Sequence, residues 1–132
     1  MNSIGRLVIL VNNYEEAIAF YRDKLGFEVF IDSEAAPHRF VHIRLPSQKD
    51  MGIWLLQATS DTQQKKVGAQ TAGQPCAVIY TDNFEKEYKN LVNNGVYFSK
   101  PPVSDGGAKF AHFEDLYGNE FILVELQAES VE

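Results

Sequence analysis

Hydrophobic periodicity along the chain changes in a fixed order and then repeats that order. Arg6 to Val11 is a short apolar run of strand length, rich in β-branched residues. From Tyr14 the apolar positions move to helical spacing, so that Tyr14, Ala17, Ile18, Tyr21 and Leu25 share one face. Asn13 is placed as an N-cap, Glu16 stands three residues later as in a capping box, and Gly26 supplies a stop. The pattern therefore predicts a helix over 14–25, followed by strands over 27–32, 39–45 and 52–58. The clearest of these is 39–45, where Val41, Ile43 and Leu45 alternate with His42 and Arg44, as in a half-buried strand.

The second half follows the same plan. A β-like run, Cys76 to Thr81, leads to Asp82 or Asn83 as a cap and a helix over 84–93. Its apolar stripe is Phe84, Tyr88, Leu91 and Val92, and Gly95 ends it. Strands are predicted over 97–99, 109–114 and 120–127, with 115–119 as the turn before the last. Val11-Asn12-Asn13-Tyr14-Glu15-Glu16 resembles Thr81-Asp82-Asn83-Phe84-Glu85-Lys86, 70 residues later. Ile53-Trp54-Leu55-Leu56-Gln57 matches Phe121-Ile122-Leu123-Val124-Glu125 at an offset of 68. Such ordered self-similarity indicates a duplication. The chain reads as one α+β domain over 1–132, built from βαβββ modules at 4–58 and 76–127. The polar, Thr-, Gln- and Gly-rich stretch 59–75 is the expected linker.

Composition narrows the function classes. Twelve basic residues against eighteen acidic ones give a net charge of −6, which argues against a nucleic-acid partner or an anionic membrane surface. Cys76 is the single cysteine, so no intramolecular disulfide can form. The apolar run Leu7 to Val11 is too short for a signal-peptide core, and a cytoplasmic location is expected.

Two motifs carry a family resemblance. Phe20-Tyr21-Arg22-Asp23-Lys24-Leu25-Gly26-Phe27 is similar to the "FYxxxLGF" helix end of the vicinal-oxygen-chelate superfamily, which includes glyoxalase I, bleomycin- and fosfomycin-resistance proteins and extradiol dioxygenases. Phe113-Glu114-Asp115-Leu116-Tyr117-Gly118-Asn119 is similar to that family's "F-x-D-P-x-G-N" turn, with Leu116 in place of the proline. The resemblance covers residues 4–127. It implies two curved, mostly antiparallel sheets that form a cleft, helices on the outer faces, and a homodimer.

It also implies where a metal would sit. Metal-dependent relatives hold a divalent ion with His, Gln or Glu from the first and last strand of each module, and the ion acts as a Lewis acid. Carried over by position, those posts are Arg6, Trp54, Cys76 and Ile122. A guanidinium, an indole and an alkyl group offer no lone pair, and one thiol alone is no site. A cleft without metal or other cofactor is expected. A divalent ion relocated to His42, His112 and Glu114 is the alternative.

By strand parity, Arg6, Phe40, His42, Arg44, Trp54, Cys76, Tyr80, His112, Glu114 and Ile122 are expected to line the cleft. This mostly apolar lining suits a small organic ligand. Arg6, Arg44 and His42 are candidates to hold an anionic group, and Trp54 and Tyr80 to stack on a planar or cationic part. Alternatively, Arg6 pairs with Glu114 or another carboxylate and the aromatics pack a dimer interface. Cys76 is read as a packed thiol, with a nucleophile as the competing role, and His38, after Pro37, falls in a loop. Three functions follow. The first is a metal-free small-molecule binder of the bleomycin-resistance type. The second is a metal-dependent lyase or isomerase of the glyoxalase-like group. The third is a dimeric interaction protein without a ligand.

Overall fold

A computed structural model describes residues 1–34 and 39–126. His38 and Gln127 lie outside the described residues. The chain divides into two compact units, Met1–Gln70 and Thr71–Glu132.

In the first unit, β1 (Arg6–Val11) leads into α1 (Tyr14–Ala19), whose last turn continues as a π-helical segment, Phe20–Lys24. Three strands follow: β2 (Glu28–Ser33), β3 (Phe40–Arg44) and β4 (Gly52–Gln57). The sheet order is β1-β4-β3-β2; β1 runs parallel to β4 and the other pairs are antiparallel. Asn13 caps α1 by accepting the Glu16 amide at 3.0 Å. The helix was expected to stay α-helical to Leu25. Its wider final turn lets Phe20 join Tyr21 and Leu25 among the buried residues, which the straight α stripe had left out. The Phe27 amide then bonds back to the Tyr21 carbonyl at 2.9 Å, across Gly26 at φ +80°. Ile9, Val11, Val41, Ile43 and Leu55 make the sheet's contribution to the core.

The expected linker is not bare chain. It contains α2 (Asp61–Lys66), opened by a capping box between Ser60 and Gln63. Beyond it, the Gln70 side-chain amide accepts from the Leu10 amide at 2.7 Å and donates to the Val8 carbonyl at 3.1 Å. A side chain thus satisfies part of the free edge of β1.

The second unit comprises β5 (Pro75–Tyr80), α3 (Phe84–Asn93), β6 (Tyr97–Phe98), β7 (Val103–Asp105), β8 (Ala108–Glu114) and β9 (Glu120–Leu126). Its order is β5-β9-β8-β6, with β7 also on β8, and β5 runs parallel to β9. The outer strand is therefore broken in two. Pro101 and Pro102 lie in the break, where they have no amide hydrogen to give; β7 was not foreseen. Asn83 repeats the cap of Asn13, accepting the Lys86 amide at 3.1 Å. Val92 was placed on the buried stripe, but it is exposed. It lies about 80° around the helix from Phe84, whereas Tyr88 and Leu91 stay close to it. Tyr88 packs against Phe84 at 5.6 Å and Phe98 at 4.6 Å.

The repeat is also legible in one clasp. Gln57 and Glu125 hold corresponding positions at the ends of β4 and β9. Gln57 donates to the Asn12 carbonyl at 3.1 Å, and Glu125 accepts the Phe84 amide at 2.6 Å. Both tie the last strand to the turn that starts the helix.

Candidate functional site

Parity leaves one face of the first sheet free of the core, carrying Arg6, Phe40, His42, Arg44 and Trp54, and Phe30, at a bulge of β2, packs against its arginines. Register sets their neighbours: Arg6 lies opposite Gly52, and His42 opposite Trp54. Gly52 is what makes room for Phe30. A Cβ there would stand 2.7 Å from the Ile43 carbonyl oxygen and 3.0 Å from the Phe30 ring. Phe30 therefore lies between two guanidinium groups, 4.6 Å from Arg6 and 4.3 Å from Arg44.

The two arginines are in different states. Arg44 donates through Nε to Glu28 at 2.8 Å, and Lys49 reaches the same oxygen at 3.1 Å. These bonds hold the Glu28 carboxyl below its ordinary range. Arg6 instead donates through Nε to His42 Nδ1 at 2.9 Å and through Nη1 to the Gly5 carbonyl at 2.6 Å. It forms no ion pair with any described residue, Glu114 included. His42 stacks on Trp54 at 5.5 Å with 12° between planes. Burial, then the Arg6 charge, lowers the His42 pKa, so the ring is neutral at pH 7.

Beside this cluster the first unit has a hollow of about 720 Å³, lined by Tyr14, Phe40, Trp54, Leu56, Gln57 and Gln63 among others. Arg39 stands at its side with its guanidinium engaged by Asp32 and Glu15. Tyr14, assigned to the core from its spacing, accepts the Gln57 amide through its hydroxyl at 3.1 Å. Phe30, Gly52, Tyr14 and Gln57 were missed as site residues. Phe30 is the residue skipped at a bulge between Val29 and Ile31 of β2, so strand parity carried no signal for it.

On the second unit, His112, Glu114 and Ile122 share a face with Tyr80, which is 69% exposed. His112 Nδ1 lies 2.9 Å from Glu120 Oε2. Cys76 was expected to point with Val78 and Tyr80. It is the extra residue of a bulge between Pro75 and Ala77, so it has no register partner on β9. Burial, followed by the nearby Asp115 charge, pushes its thiol up to about 11. Cys76 should therefore label slowly with a thiol reagent at pH 8, far behind free cysteine, and match it only after unfolding. Fast labelling of the folded chain would restore the nucleophile reading.

The four inherited posts do not fit a divalent ion. Arg6 is a cation bonded to His42, the Cys76 thiol stays protonated, and Trp54 and Ile122 have no donor lone pair. Among the described residues no three His, Cys, Asp or Glu side chains are grouped to hold a metal. No helix among them is long and apolar enough to cross a membrane.

Known proteins agree with this fold. An uncharacterised protein of Shewanella frigidimarina (strain NCIMB 400) is 33% identical over 126 residues, covering 94% of this chain and 93% of its own. The crystal structure of UcmS2 superimposes with a TM-score of 0.84 at 25% identity, over 94% of this chain and 98% of that one. TnmS3, an antibiotic binding protein from Streptomyces sp. CB03234, gives a TM-score of 0.78 at 20% identity, over 96% and 98%. Residues 3–123 match the family described as Glyoxalase/Bleomycin resistance protein/Dioxygenase superfamily, and with its duplicated βαβββ units the chain belongs to that superfamily.

Proposed function

We propose that this protein binds a small organic ligand without a metal ion, and that the ligand has an anionic group and an apolar, ring-containing body. One observation carries the reading: the Arg6 guanidinium, at a position where metal-dependent relatives hold an ion, is oriented by His42 and has no carboxylate among the described residues. A fixed positive charge next to an aromatic face favours a carboxylate, which guanidinium can grip through two parallel hydrogen bonds. Phe40, Trp54 and Leu56 would take the apolar body. Arg44 supports the face through Phe30 but is engaged with Glu28, so Arg6 is the anion-binding group. That TnmS3 is an antibiotic binding protein supports small-molecule binding over an interaction role without a ligand. The homodimer expected from the resemblance is part of this reading; exposed Leu7 and Val8 on β1 and Val78 on β5 are apolar groups a second copy would cover.

Three probes with one ring and different charge test the binding: benzoate, benzyl alcohol and benzylamine. Benzoate should shift the NMR signals of Arg6, His42 and Trp54 most strongly and at the lowest concentration. Preference for benzylamine, or shifts confined to other residues, would overturn the proposal.

A further inference from the structure

We propose that one duplicated histidine has diverged into two opposite hydrogen-bonding tools, and that these set which ligand groups each module accepts. His42 and His112 are 70 residues apart, the offset at which the helix-starting segments of the two modules repeat. They hold equivalent places, His42 opposite Trp54 on β4 and His112 opposite Ile122 on β9. Each has a phenylalanine edge-on to its ring, Phe30 at 6.2 Å and Phe110 at 6.1 Å. Their Nδ1 atoms, however, face partners of opposite character.

Arg6 can only donate, so His42 Nδ1 must accept, and the proton of the neutral ring is on Nε2. The Glu120 carboxylate can only accept, so His112 Nδ1 must donate, and in the Nδ1–H tautomer the lone pair is on Nε2. Neither Nε2 has a protein partner among the described residues, and neither is among the buried unpartnered atoms. Each is therefore open to a ligand. His42 offers an N–H beside a guanidinium, which suits a carboxylate or carbonyl oxygen. His112 offers an acceptor beside Glu114 and Glu120, which suits a hydroxyl donor. The first module selects acceptor groups and the second selects donor groups. This ligand selection rests on the binding reading above; the proton positions do not.

Full-length 15N-labelled protein at pH 8 gives the proton positions directly through long-range proton–nitrogen correlations of the rings. The expected result is Nε2–H on His42 and Nδ1–H on His112. Titration with phenol as a donor should then move the His112 ring signals more than those of His42, and benzoate should do the reverse. In Glu120→Gln the amide can donate to Nδ1 and reverse the His112 proton, and phenol binding there should weaken about fivefold, the value of one hydrogen bond. His112→Phe keeps the ring shape and should show the same loss if Glu120→Gln does not fold. The same tautomer on both rings, or equal response of both rings to both probes, overturns this inference while benzoate binding at Arg6 can still stand. Opposite tautomers with no response to either probe overturn the ligand selection and the binding reading together.

Discussion

Replacing Asp115 by alanine should destabilise the second unit by about 2–4 kcal/mol. Asp115 is only 7% exposed and accepts three hydrogen bonds across the turn before β9. They come from the Tyr117 amide at 2.9 Å, the Asn119 amide at 2.8 Å and the Asn119 side-chain amide at 2.9 Å. Its own amide donates to the Asn119 carbonyl at 2.9 Å, and Gly118 supplies a φ of +94°. Alanine would leave buried donors without an acceptor, which costs more than the net worth of the bonds themselves. Asp115→Asn keeps one acceptor oxygen and should lose less. Urea unfolding followed by far-ultraviolet circular dichroism measures both, as a lower midpoint at unchanged slope. A midpoint for Asp115→Ala equal to that of the parent chain would show that the turn is not held this way.

Arg6→Ala should weaken benzoate binding by at least about tenfold, since a hydrogen bond to a charged group is worth roughly 1.5–3 kcal/mol. Arg6→Lys should fall between, because an ammonium keeps the charge but loses the planar fork. Trp54, the single tryptophan of the chain, stacks on the histidine that Arg6 orients, so its fluorescence can follow the titration. Unchanged affinity in Arg6→Ala would move the anion site away from this residue. The same variant leaves His42 Nδ1 without its donor, so the tautomer of that ring is expected to lose its single assignment.

Much of the fold was legible in the sequence because its signals are local. Asn13 and Asn83 cap their helices as their positions predict, and Gly26 and Gly95 end them at φ of +80° and +85°. Strand parity located the free face of the first sheet because Val41, Ile43 and Leu55 are all fully buried. Features that depend on distant contacts were hidden. The π-helical turn follows from burying Phe20 together with Tyr21, which no single-helix stripe encodes. β7 is a short exposed segment, Val-Ser-Asp, recognisable only by its partner on β8. α2 has no buried residue, so its polar composition read as linker although Ser60 and Gln63 form a capping box.

The candidate site was legible as a set of positions and less so as a set of interactions. Arg6, His42, Arg44 and Trp54 share one face, but parity could not say that Glu28 engages Arg44 while Arg6 turns to His42. Nor could it place Phe30 between the two arginines, since that depends on the missing side chain at Gly52. Cys76 falls outside the β5–β9 register because a bulge inserts one residue between Pro75 and Ala77, which the alternation of Val78 and Tyr80 does not announce.

In the proposed site a fixed guanidinium, and not a metal ion, provides the positive charge. Protein purified without chelator and the same protein stripped with EDTA should be compared for bound divalent metal and for benzoate affinity. No stoichiometric metal is expected in the first sample, and equal affinity is expected in both. One divalent ion per chain whose removal abolishes binding, and whose return restores it, would show that a metal and not Arg6 supplies that charge.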